Sequence, residues 1–122
     1  MDRSILERHG INYTAGLRRF MEDEDLYNEM LTAFLADKSF AKAFDAFNKR
    51  DYSALFEQAH VLKGASGSLD MTELYQSSSE LAELLRHNKE PDEASISVLF
   101  DKMQAAYYQV IDGVRGSLKA VS

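Results

Sequence analysis

The stretch FEQAHVLKGASGSL, residues 56–69, decides how this chain is read. It sets two glycines, Gly64 and Gly67, beside His60 in a sequence whose apolar residues otherwise recur at helical spacing. In a helix interior each glycine costs roughly 1 kcal/mol relative to alanine. Either the helix ends here, with Gly64 as its C-cap and ASGSLD as a loop, or it runs on and the glycines serve another purpose. Phase separates the two. Leu55, Ala59, Leu62, Ser66 and Leu69 follow at steps of four, three, four and three, the spacing of one helix face. A helix ending at Lys63 would leave Ser66 and Leu69 no reason to keep that phase. The spacing therefore predicts one helix, N-capped by Asp51 and continuous through the glycines.

At about 100° per residue, Phe56, Glu57, Lys63, Gly64 and Gly67 fall within roughly 60° of His60, while Leu62 and Leu69 lie opposite. His60 is thus expected to face solvent from a surface that the glycines strip of side chains. Lys63, one turn along, can reach an anion held on the ring. An exposed imidazole, small neighbours and one cation suit a histidine that accepts a phosphoryl group. Such transfer rests mainly on alignment and charge compensation, so the metal and most charged groups can belong to the donor protein.

The surrounding sequence reads as further helices. YTAGLRRFM predicts a short helix with Leu17, Phe20 and Met21 on one side. The acidic EDED that follows suits a helix N-terminus, and Leu26, Met30, Ala33, Phe34, Phe40, Phe44 and Phe47 predict one long helix with a bend near residues 37–39. DMTE, residues 70–73, has capping-box spacing with Asp70 as the cap, and Leu74, Leu81, Leu84 and Leu85 mark the next helix. HNKEPDEAS is the longest break, because Pro91 disfavours helix at Glu90. Ile96, Leu99, Phe100, Met103, Ala106, Tyr107, Val110, Val114 and Leu118 define a final helix. Four substantial helices with short connections predict an all-α fold, an up-and-down antiparallel four-helix bundle with a short additional N-terminal helix.

Composition bounds the rest. At 122 residues, 45% hydrophobic and one proline, residues 1–122 are expected to form a single domain, with residues 1–11 frayed or loosely packed. The absence of cysteine rules out disulfides and thiolate zinc sites and fits a reducing compartment, so the expected location is cytoplasmic. No run is long and apolar enough for a membrane span, and the first residues lack the apolar core of a signal peptide. A net charge of -6 with scattered lysines and arginines argues against nucleic acid and for a protein partner. A monomer is expected.

HVLKGASGSL is similar to the signature of histidine-containing phosphotransfer (HPt) domains, in which the histidine is followed by lysine three and glycine four residues later, then small residues and an apolar position. The similarity extends to GINYTAGLRRFMEDEDLYNEMLTAF upstream and RDYSALFEQAH just before the site, covering the chain from about residue 10 to about residue 115. The resemblance implies a phosphorelay intermediate that exchanges a phosphoryl group between His60 and the aspartate of a response-regulator receiver domain, in either direction. It implies partnership with such receivers and with a hybrid sensor histidine kinase. The chain would be a carrier without autonomous kinase activity and without a cofactor of its own, the Mg2+ residing on the receiver. Lys63 would neutralise the phosphate, Gly64 and Gly67 would provide clearance, and Phe56 would form part of the docking patch. Two departures stand out. The family often has glycine where this chain has Asp70, a residue that tolerates a left-handed backbone better than most. Many relatives also extend a long polar side chain from the next helix toward the histidine, where this chain offers Ser77, Ser78 and Ala82.

Rival readings carry less. Glu57 and His60 form a Glu-x-x-His pair of the kind used by dimetal bundles, but neither His9 nor His87 has a glutamate three residues before it, and His60 points outward. His87 suits a helix C-terminus, His9 belongs to the segment expected to fray, and Met103, Tyr107 and Tyr108 read as ordinary packing with a wet edge. Glu57 reads as a solvated carboxylate rather than an orienting group for the ring. The alternative from another class is a non-catalytic helical adaptor that binds a protein partner.

Overall fold

The computed structural model describes residues 1–87 and 92–120. The helices are α1 (Arg3–Arg8), α2 (Tyr13–Arg19), α3 (Glu24–Ala33), α4 (Ser39–Asn48), α5 (Tyr52–Ser68), α6 (Thr72–His87) and α7 (Glu93–Ala120), with a 3₁₀ turn at Phe34–Ala36. Residues 88–91, which include the predicted break at Pro91, lie outside the described residues. Among the described residues, no helix is long and apolar enough to cross a membrane.

One device starts four of these helices. Asp2, Asn12, Asp23 and Asp51 each accept a hydrogen bond from the backbone N–H three residues on, which satisfies a donor that the first helical turn leaves unpaired. Another device ends α1, α2, α4 and α5. Gly10, Met21, Arg50 and Asp70 adopt positive φ. In each case the following N–H reaches back five residues, as from Glu22 to Leu17 at 2.8 Å and from Met71 to Ser66 at 2.9 Å. These reversals fold the chain tightly enough to set successive helices side by side.

Contacts between elements give their directions. Phe56 meets Arg86 at one end of α5 and Gly67 meets Tyr75 at the other, so α5 and α6 are antiparallel. Phe40 stacks on Tyr107 at 4.2 Å and Phe47 on Phe100 at 4.2 Å, so α4 and α7 are antiparallel as well. The four helices α4 to α7 close a bundle around Leu55, Leu62, Leu74, Leu81, Phe100 and Met103, all buried. The all-α, antiparallel four-helix fold is the one expected from spacing.

Three local expectations need correction. The long helix is two: after the 3₁₀ turn, Asp37 is extended (φ -67, ψ 132) and its carboxylate accepts from Ser39 N at 2.8 Å, offering the backbone a partner that helix would deny it. Within α3 the buried residues are Tyr27 and Leu31, whereas Leu26 and Ala33 are exposed, so the stripe lies about one residue out of the predicted phase. Met21 falls beyond the end of α2 and is 90% exposed, because its positive φ turns the chain away.

The N-terminus departs further. Residues 1–11 are neither frayed nor loose, since α1 packs along α7 with Leu6 and Ile11 buried. Asp2 N donates to Ser117 Oγ at 2.5 Å, and Gly113 lets His9 lie directly against α7, where an added Cβ would come within 2.4 Å of the His9 side chain. The C-terminal half of α7 therefore widens its buried stripe, with Gly113 against His9 and Ser117 against Asp2. A six-residue helix is too short to be stable alone, which is why its docking was invisible in local pattern. Leu6→Ala is expected to lower unfolding stability by about 2 to 5 kcal/mol in urea denaturation; a loss below about 0.5 kcal/mol would mean that α1 is not docked in solution.

Candidate functional site

Helix α5 runs without interruption through both glycines to Ser68. Its stripe, Leu55, Ala59, Leu62, Ser66 and Leu69, is buried throughout, and the one hydroxyl in it is satisfied by donation from Ser66 Oγ to the Leu62 carbonyl at 2.6 Å. That burial fixes the rotation of the helix, and His60 faces solvent as a result.

The two glycines turn out to differ. A Cβ built on Gly64 meets nothing within 4 Å, so the bare backbone there is not required by anything inside the domain. A Cβ on Gly67 would lie 3.1 Å from the Tyr75 ring, so Gly67 makes room for an α6 side chain. The open backbone beside the imidazole is that of Gly64, whereas Gly67 packs against α6. Lys63 is half-buried and exposes a cation with no ion-pair partner among the described residues.

On its other side His60 meets Phe56, with ring centroids 6.0 Å apart and planes inclined by 23°. Phe56 is half-buried and packed against the core, less free than an isolated surface aromatic, and the Arg86 guanidinium lies 5.7 Å from its centroid. Among the described residues no hydrogen bond joins Glu57 to the imidazole, and Glu57 is exposed. The α6 positions singled out in the sequence do not reach the site: Ser77, Ser78 and Ala82 are buried, and both serines bond the Leu74 carbonyl of their own helix. Tyr75 and Arg86 of α6 lie beside the site helix, against Gly67 and Phe56.

A cleft of about 530 Å³ opens between His60 and Lys63 at one end and Arg19, Asp70 and Tyr75 at the other, with Gly64 and Gly67 along its floor. Its closed end is the α5–α6 corner. Asp70 is not the N-cap of α6; it occupies the left-handed region (φ 55) and its carboxylate pairs with Arg19 at 2.9 Å. Asn12 N donates to the Asp70 carbonyl at 2.8 Å, and Thr72 N to the Gly10 carbonyl at 3.0 Å. The Tyr27 hydroxyl, buried and pushed well above its usual pKa by desolvation and by Asp70, donates to the Leu69 carbonyl at 2.7 Å. Tyr27 reaches that carbonyl across Gly16, where a Cβ would stand 2.0 Å from the tyrosine oxygen. Helices α2 and α3 thus clamp the turn from which the site helix is held.

The remaining candidates stay structural. His9 Nδ1 lies 2.7 Å from the Ile5 carbonyl, and His87 Nε2 lies 2.6 Å from Glu83 in the last turn of α6. Met103 is buried and Tyr107 stacks on Phe40, while Tyr108 is half exposed. Among the described residues no three His, Asp or Glu side chains gather as a metal site would require. Arg19, Asp70, Tyr27 and Tyr75 enter the site through tertiary folding, and no periodicity or motif marks them. The left-handed Asp70 is the exception, since its place in the motif already suggested a turn.

The family model of the Hpt domain matches residues 18–113. No curated protein and no solved structure matches the chain.

Two substitutions test this geometry. Gly64→Ala meets open space in a helix interior and is expected to raise stability by about 0.5 to 1 kcal/mol in thermal or urea unfolding; destabilisation would show that the backbone there is not helical or not open. Tyr27→Phe strands the Leu69 carbonyl and is expected to cost about 1 to 3 kcal/mol, a loss that an unclamped corner would not show.

Proposed function

The chain belongs to the Hpt domain family, and on that premise we propose that it is a phosphorelay intermediate whose His60 exchanges a phosphoryl group with the aspartate of a response-regulator receiver domain. The observation that carries this reading is the exposed imidazole beside open backbone at Gly64, with the cation of Lys63, which has no ion-pair partner among the described residues, one turn along. In transfer to this chain, an imidazole nitrogen attacks the phosphorus of the receiver's phosphoaspartate in line. The N–P bond forms as the acyl P–O bond breaks, and the receiver recovers its carboxylate. In the reverse direction the same atoms retrace the path.

Each residue has a limited task. Phe56 restrains the ring from one side through the stacked contact. The Lys63 ammonium offsets charge on the equatorial oxygens, which the loose transition state leaves spread over three atoms. Gly64 allows the receiver's backbone to approach the ring. Mg2+ and the acidic groups that hold it are assigned to the receiver, and phosphoryl input to a hybrid sensor histidine kinase. The chain itself acts as a carrier without autonomous kinase activity.

Incubation with a phosphorylated receiver domain tests the reading. Wild-type protein is expected to acquire acid-labile, base-stable label, and His60→Gln to acquire none while circular dichroism shows unchanged helicity; label that survives the substitution removes His60 from the mechanism. Lys63→Ala is expected to slow transfer or shorten the phosphohistidine lifetime by about fivefold or more, the effect of roughly 1 kcal/mol from a solvent-facing charge. Gly64→Ala, although more stable, is expected to transfer more slowly.

A further inference from the structure

The cleft beside His60 reverses the charge of the chain around it. The whole sequence has 20 Asp and Glu against 14 Lys and Arg, yet the cleft lining carries Arg19 and Lys63 against the single carboxylate of Asp70. Asp70 is largely consumed by Arg19, with Nε 2.9 Å and Nη2 3.4 Å from its two oxygens. The remaining N–H donors of the five on a guanidinium are left for another acceptor. The arginine side chain is 57% exposed while its partner is only 15% exposed, so the pair presents the cation outward and keeps the carboxylate inward.

Arg19 is also pre-positioned. Asp70 is fixed by its left-handed backbone and by the hydrogen bond from Asn12 N to its carbonyl. A guanidinium tied at two atoms to a fixed carboxylate loses less conformational freedom on binding than a free lysine does. Ten residues of chain, about 15 Å along the axis, separate His60 from Asp70. Held by Asp70 beyond the end of α5, Arg19 lies toward the corner end of the cleft, where it faces a docked protein.

The geometry points to Arg19 as a docking residue that pairs with an acidic side chain on the receiver's surface and so helps select which receiver His60 serves. This assignment rests on the phosphorelay reading and adds to it a specificity contact remote from the chemistry. Lys63 acts on the phosphoryl group, whereas Arg19 acts on the encounter and its registration. Carboxylate is the fitting partner because the planar guanidinium matches it in two-point geometry.

The test uses the full chain and a receiver domain phosphorylated with acetyl phosphate and Mg2+, chosen as the fastest donor from a panel of purified receivers. Arg19→Ala and Arg19→Gln are expected to raise the receiver concentration giving half-maximal transfer by about threefold to tenfold, as expected for loss of a partly exposed charge pair. They are also expected to flatten its dependence on salt and leave the phosphohistidine lifetime unchanged. Asp70→Asn keeps the guanidinium in the chain but weakens its tie, and is expected to shift half-saturation less than either arginine variant. An unchanged half-saturation in Arg19→Ala, a shortened phosphohistidine lifetime, or an equal shift in Asp70→Asn overturns the assignment, the last because Arg19 would then act only by holding the corner. Failure of wild-type His60 to accept label from any receiver overturns the phosphorelay reading and this assignment with it, so the two failures are distinguished by the wild-type lane.

Discussion

One buried seam determines the rest of this molecule: the face of α5 that carries Leu55, Ala59, Leu62 and Ser66, each fully inaccessible, against its antiparallel neighbours. Apolar burial is worth about 1.5 to 3 kcal/mol for a side chain the size of leucine, so rotating α5 by even one residue would expose several such groups at once. The helix has a single workable orientation. Because His60 lies on the far side, its exposure follows from burial elsewhere, and the Hpt assignment acquires a physical basis in packing.

The other end of that constraint is the α5–α6 corner. A seventeen-residue helix directs its side chains reliably only if its last turn is held, and here four independent contacts hold it: Tyr27 on the Leu69 carbonyl, Arg19 on the Asp70 carboxylate, Asn12 on the Asp70 carbonyl and the Gly10–Thr72 hydrogen bond. All come from residues before α4, outside the four-helix bundle. Helices α1 to α3 therefore do more than cover an end of the bundle. They hold the corner at the end of the cleft that His60 and Lys63 line, and through Arg19 they supply its second cation.

The two glycines show how one residue type answers two demands. Gly67 is needed by the domain, because Tyr75 occupies the volume a side chain would fill. A side chain at Gly64 would meet none of the described residues, and helix propensity argues against glycine there. A costly residue with no internal use points outward, to whatever must approach the imidazole. Helix stability alone would place alanine at that position.

Much of this was legible in the chain order. Steps of three and four specified the helices α5 to α7 and the bundle, and phase alone distinguished a continuous helix from a capped one at Gly64. Asp51 announced a helix start because capping is local chemistry, and the acidic residues 22–25 announced another by their charge. Asp37 and Asp70 were misread for the same reason, since one aspartate can cap, turn or pair, and the choice depends on neighbours distant in sequence. The burial of Leu6 and Ile11, the true phase of α3 and the contact of α7 with α1 required knowing what lay opposite. So did the meeting of Arg19 with Asp70, fifty-one residues away. The sequence by itself determined which helix displays the histidine and which side it faces, because periodicity is a property of a single segment. Only the tertiary structure decided what surrounds that histidine, because a cleft belongs to several segments at once.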